Sequence, residues 1–124
     1  MAPSDLSQRL FDEVDRWATA GLAAAPVHVV VCGDAELAPA ELLASSVYPA
    51  VQNLLLASLA LGLGSLLSTL SLSGGQPLRE LLALPDHVVP MALVPLGYPA
   101  RRLGPPRRHP VEERAHRQRW GQPW

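Results

Sequence analysis

Leu6, Leu10, Phe11, Val14, Trp17 and Leu22 recur at helical spacing with Asp and Glu between them. This predicts an amphipathic helix opening at Asp5, an N-cap residue preceded by Ser4. Ala25-Pro26 stops it. The run from Val27 to Cys32 is β-branched, polar only at His28, and closed by Gly33-Asp34, which predicts a short buried strand. Asp34 to Ser45 reads as a connector with a helical turn through Pro39 to Leu43. From about Val47 to Leu61 the chain is helical and apolar on nearly every face, as a helix in a core or at a subunit interface would be. Gly62 and Gly64 break it, and Gly74-Gly75 is a turn before a short helical segment, Leu78 to Leu84. A second strand, Val88 to Leu96, follows Pro85-Asp86; Pro90 and Pro95 predict that it is an edge or bulged strand. Beyond Gly97, Pro99, Pro105, Pro106 and Pro110 predict an extended arm with Trp120 and Trp124 as apolar anchors.

No Asp, Glu, Lys or Arg occurs between Glu41 and Arg79. Leu54 to Leu72 is almost long enough to cross a hydrocarbon core of about 30 Å. Gln52, Asn53, Gly62, Gly64 and the serines from Ser58 to Ser71 interrupt the run, however, and no basic residue flanks it closely. A buried helix is the reading preferred over a membrane span.

With 124 residues, the chain suffices for one small domain with one modest core. Apolar residues make up 48% but aromatics only 5%, so Leu, Val and Ala must build that core. Cys32 is the one cysteine; it can form neither an internal disulfide nor a zinc site and reads as a small buried hydrophobe. His28, His87 and His109 show no metal-ligand spacing, so they read as structural and no metal is expected. The acidic, amphipathic beginning is neither a secretory signal nor a basic transit peptide, and a cytoplasmic protein is expected.

Acidic residues gather early, at Asp5, Asp12, Glu13, Asp15, Asp34, Glu36 and Glu41. Arginines gather late, at Arg101, Arg102, Arg107, Arg108, Arg114, Arg117 and Arg119. The late cluster lacks interleaved aromatics before Trp120, and a nucleic-acid partner is not expected. A proline-rich arm ending in tryptophans cannot bury itself and would lie on another surface. Together with the apolar central helix, this predicts a homodimer.

Four collinear blocks resemble the C-terminal half of nitroreductase-family flavoproteins: AAPVHVVVCGD (Ala24 to Asp34), SVYPAVQNLLLASLALGLGS (Ser46 to Ser65), LLALPDHVVPMALVPLGYPA (Leu81 to Ala100) and PPRRHPVEERAHRQRWG (Pro105 to Gly121). The resemblance implies an α+β fold, with a central buried helix on a small sheet and an extended C-terminal arm. It also implies an intertwined homodimer with FMN bound between subunits. The implied activity is reduction of nitroaromatic, quinone or related acceptors by NAD(P)H through FMN, the protein supplying position and electrostatics rather than a catalytic side chain. Arg108 falls at the family's phosphate-binding arginine and Arg107 stands beside it, a guanidinium being a planar donor suited to phosphate. Pro106 replaces a residue often basic in the family, leaving Arg107 or Arg102 to compensate. Leu67, Ser68 and Thr69 match the segment whose main chain runs along the flavin ring, reached once Gly62 and Gly64 let the backbone leave the helix. Ser46 and Gln52 approach the cofactor from the other subunit. His116, in a His-x-x-x-Trp-Gly ending, docks the tail.

The family's Arg-Ser-x-Arg and Pro-Ser-x-x-Asn-x-Gln-Pro-Trp elements are absent. Residues 1-124 therefore read as a single truncated nitroreductase-like domain, with 101-124 as its arm. Half a site would hold FMN weakly or not at all. The alternative reading is a non-catalytic dimeric remnant, or one subunit of a split flavoenzyme.

Overall fold

In the computed structural model of the protein, residues 5–69, 76–101, 104–105 and 108–123 are described. Helix α1, Asp5–Arg16, is the predicted amphipathic one. It runs on through a π-helical turn at Trp17–Gly21 into a last turn, α2, Leu22–Ala24. Ala25 then turns to an extended ψ of 127° before Pro26, because a residue preceding proline is driven out of the helical region. His28 Nε2 donates 2.9 Å to the Leu22 carbonyl, tying this helical end to the strand that follows.

Strand β1, Val27–Asp34, pairs antiparallel with β3, Val88–Gly97. The register runs from Val27 opposite Leu96 to Val31 opposite Ala92, then slips so that Cys32 faces Pro90. Met91 is the extra residue, which makes β3 bulged as its prolines predict. It is not an edge strand. A two-residue strand, β2, Gly64–Ser65, pairs with Leu96 and Gly97 on the other side, giving the order β1-β3-β2. The central place is open to a proline-bearing strand because Leu93 exchanges its bonds with Ser68. Pro95, two residues on, turns its missing donor to the same flank, where pairing lapses between Ser65 and Ser68.

Helix α3 runs from Ala40 to Ala60, beginning about two turns before the expected Val47. Pro39, at φ −53° and ψ 139°, starts it, so the second half of the expected connector is helix. Pro49 is tolerated inside because it and Ser45, whose carbonyl it cannot serve, both lie on the exposed face. Nor is the helix buried on most faces. Leu43, Val47, Val51 and Ser58 are buried along one stripe, with Leu54 and Leu55 partly so. Val47 and Val51 pack on Ala92 and Val94 of β3, and Val29 and Val31 of β1 close the same core. Leu42, Leu56 and Leu59 remain exposed. Among the described residues α3 alone is long and apolar enough to cross a membrane by length and composition; here its buried stripe lies on the sheet.

Helix α4, Gln76–Leu81, is held to β3 by Arg79, which donates 2.8 Å to the carbonyls of both Val88 and Pro85 and lies 3.8 Å from Asp86. The arm is not simply extended. Val111–Glu113 form a 3₁₀ turn, and residues 116–123 fold back on themselves. His116 bridges to Pro123, and its ring meets Trp120 edge-on at 4.2 Å. His116 thus docks the tail upon itself. Trp120, 90% exposed, meets only this neighbouring ring among the described residues and does not anchor the arm to the core, whereas Trp124 lies outside the described residues.

Candidate functional site

The end of α3 sets up the site. Gly62, at φ +76°, donates to the Leu59 carbonyl at 3.0 Å, while Leu63 donates to that of Ser58 at 2.9 Å. This pair of bonds is a Schellman cap, which needs a left-handed residue where the helix ends. Gly64 has a different reason to be glycine. A Cβ there would sit 3.3 Å from Pro99 Cβ and 3.5 Å from the Gly97 carbonyl oxygen, so its role is close approach of β2 to β3 rather than a left-handed turn.

Ser65 then returns to the helix. Its hydroxyl lies 2.7 Å from that of Ser58, which is itself 2.8 and 2.9 Å from the carbonyls of Leu54 and Leu55. Ser58 has one proton to share between those carbonyls, so Ser65 is the donor in the hydroxyl pair.

Leu66 to Thr69 follow along β3. Ser68 is buried and donates 2.8 Å to the Leu93 carbonyl, accepting 2.9 Å from its amide in return. Both main-chain groups of Ser68 are therefore committed to the sheet. Strand alternation turns those of Leu67 and Thr69 the other way, and among the described residues neither amide has an intramolecular acceptor. Of the three residues singled out from sequence, Leu67 and Thr69 present main-chain donors, while Ser68 fixes their position.

These residues form one wall of an open, mostly apolar cleft of about 410 Å³, with Glu13, Val14 and Trp17 opposite. The contribution of the first helix is legible only in three dimensions. A neighbouring hollow of about 450 Å³ runs from Gln52, Leu56 and Leu59 of α3 to Gly104 and Pro105 of the arm. Ser46 is exposed on α3. Arg108 is exposed and is not among the residues lining either hollow. Arg107 and Arg102 lie outside the described residues.

Asp34, Glu36 and His87 bring three donor atoms within 4.8 Å of one another, a juxtaposition that spacing along the chain does not reveal. Asp34 Oδ1 accepts from the Glu36 amide at 2.9 Å, and Glu36 Oε1 lies 3.6 Å from His87 Nδ1. The Ala35 amide, bonded to the His87 carbonyl at 2.9 Å, holds the two loops together. Cys32 is half-buried, and burial pushes its thiol above the ordinary value, against a smaller opposing pull from the Arg79 guanidinium.

The first long strand, the helix ending in a glycine break and the bulged second strand occur in the order the sequence blocks imply. The family model for the "Nitroreductase family" matches residues 3–98. The chain belongs to the nitroreductase family. A relative in Methanothermobacter thermautotrophicus, provisionally named NADH dehydrogenase/NAD(P)H nitroreductase, is 38% identical over 88 residues, covering 64% of this chain and 44% of the relative. Two crystal structures with that same provisional name are similar in fold. The one from Parabacteroides distasonis has a TM-score of 0.66 at 31% identity and covers 77% of this chain and 57% of the other. The one from Bacteroides thetaiotaomicron has a TM-score of 0.69 at 26% identity, covering 77% and 56%. This nitroreductase-family chain therefore spans about half the length of the relatives it matches. The likeness bears on the α+β core and on the Gly62 to Thr69 passage. The match ends at residue 98, before the arginine-rich arm.

Proposed function

We propose that this chain forms part of an FMN site and acts as a nitroreductase-like oxidoreductase, with NAD(P)H as reductant and a nitroaromatic, quinone or related small molecule as acceptor. One observation carries the reading. In a chain of this family, the amides of Leu67 and Thr69, without a partner among the described residues, lie beside an apolar cleft, held there by the two hydrogen bonds between Ser68 and Leu93. Such fixed donors suit the ring nitrogen and carbonyl oxygen of an isoalloxazine, and the apolar walls suit its faces.

FMN, when bound, supplies the redox chemistry. The chain holds the ring edge through Leu67 and Thr69, excludes water with Leu66 and Val14, and offers Arg108 and Arg107 for the phosphate. Because Arg108 does not line the cleft of its own chain, the phosphate end is best completed by an arm from a second copy.

A homodimer is further favoured by apolar side chains that a single chain leaves in water. The exposed Leu56 and Leu59 on α3 and Trp120 on the arm would be covered in such an assembly. A second reading, a subunit that pairs with another chain carrying the remaining flavin contacts, is favoured by the exposed Leu10, Phe11 and Val14 of α1.

The test is to incubate the purified protein with FMN, remove excess by desalting, and record visible absorbance, NAD(P)H oxidation and sedimentation. Retained flavin on a dimer is expected. A colourless protein with no NAD(P)H oxidation overturns the enzymatic reading, and a colourless monomer that gains flavin with an added chain establishes the split one.

A further inference from the structure

Trp17 belongs to a helix that no family motif in this chain includes, yet it is shared by two hollows. It lines the cleft opposite Leu66 to Thr69, and it also lines a second hollow with Pro95, Gly97 and Tyr98. Its ring is half-buried, and its position has a specific local cause. At Trp17 the helix widens into a π turn that ends at Gly21, and such single-turn insertions re-aim a side chain within a helix. Gly21 gives the ring its seat. A Cβ built on Gly21 would come 3.0 Å from Trp17 Cδ1 and 3.5 Å from Trp17 Cγ; the first is tighter than carbon atoms ordinarily pack, so a side chain here would push the indole aside by a few tenths of an ångström. No left-handed backbone explains this glycine, since only Gly62 and Gly121 have a positive φ among the described glycines.

We propose that Trp17, seated on Gly21, is the cleft wall that touches the flavin ring, facing the Leu67 and Thr69 amides across the bound isoalloxazine. The inference rests on the flavin reading above and adds a contact from the first helix. An indole is flat, electron-rich and apolar, and a ring pair in offset or edge-to-face contact gains binding beyond the area it buries. Val14, one helical turn earlier on α1, extends the same wall. The main-chain donors on one side set the in-plane orientation of the ring; the indole on the other restricts what thickness and polarity of group can enter. Glu13 stands at the same rim, where a carboxylate repels anionic groups and disfavours entry of the phosphate end of FMN into this part of the cleft.

The experiment compares full-length protein with Trp17→Leu and Gly21→Ala, titrating FMN and, separately, riboflavin, which has the ring without the phosphate. Dissociation constants and the emission yield of the bound flavin are measured; an indole in contact quenches flavin emission by electron transfer, which a distant tryptophan does not. Both variants are expected to bind either flavin about three- to tenfold more weakly, from loss of the ring contact, and their bound flavin should emit more brightly. Circular dichroism and melting temperature serve as the check on folding, and Gly21→Ala leaves the tryptophan present should Trp17→Leu unfold. Equal affinity and equally dark flavin in all three proteins overturn the Trp17 contact while leaving the flavin reading intact. If none of them, the parent included, binds either flavin, the flavin reading fails and this contact falls with it.

Discussion

Ser68 and Leu93 exchange both of their backbone hydrogen bonds, at 2.8 and 2.9 Å, although no continuous strand joins Ser68 to β2. This isolated bridge decides which amides of the Leu67 to Thr69 passage are free. Ser68→Pro removes the donor to the Leu93 carbonyl, on a residue that is buried, and should cost about 1–3 kcal/mol. Ser68→Ala keeps both main-chain bonds and should cost less. Urea unfolding of the two variants checks this, and flavin retention should disappear only in the proline variant.

Gly62 sits at φ +76° with open space where a Cβ would project. Substitution by alanine therefore meets no clash, and its cost is that of a left-handed backbone, about 1–2 kcal/mol. A fall in melting temperature of roughly 4–8 °C is expected for a chain of this length. Gly64→Ala, by contrast, would press on Pro99 at 3.3 Å and should loosen β2, seen as faster amide exchange at Leu96 and Gly97.

The hydroxyls of Ser58 and Ser65 are coupled unequally. Ser65→Ala leaves Ser58 bonded to the Leu54 and Leu55 carbonyls, whereas Ser58→Ala takes away the acceptor of the half-buried Ser65 hydroxyl. The second change should be the costlier by about 1 kcal/mol, and the double variant should be less destabilised than the two single losses added together. Thermal denaturation of the three variants measures the coupling.

Cys32 has its ionisation pushed above the ordinary 9.0 by burial. Below that value the thiol is protonated in both folded and unfolded chains and contributes no pH dependence. As pH rises past 9.0, the unfolded chain ionises first, so native stability relative to Cys32→Ala should fall until the folded thiol ionises too. Alkylation by iodoacetamide should be slower than that of a free thiol throughout this range. A pH series of unfolding curves with the alanine variant as reference checks the sign.

Much of the fold could be read along the chain. The first helix, both long strands, the bulge and the glycine stop at Gly62 follow from local rules, because proline geometry, β-branching and left-handed backbone act within a few residues. The error at Val47 has a physical cause. Pro39 presets a helical start, and the exposed Ala44, Ser45 and Ser46, which read as loop, are the outer face of a helix whose Leu43 and Val47 are buried. Pro90 and Pro95 predicted an edge or a bulge, and the strand took the bulge at a central place, since whether a missing donor matters depends on which neighbour it faces. Of the candidate site, the passage from Leu67 to Thr69 was legible through its resemblance to a family, but the distinction between Ser68 and its neighbours was not, nor was the cleft wall at Trp17.

By itself, the sequence determined the first helix, the existence of the central helix, both long strands, their order and the family, since these rest on periodicity, on backbone chemistry and on four blocks of residues. Tertiary structure alone decided that β3 is central, that α3 buries one stripe and exposes the rest, that Ser68 is locked to Leu93, and that Trp17 meets a segment some fifty residues away. Each of these depends on which surfaces meet once the chain has folded, and pairwise contact between distant residues leaves no periodic signal in either partner.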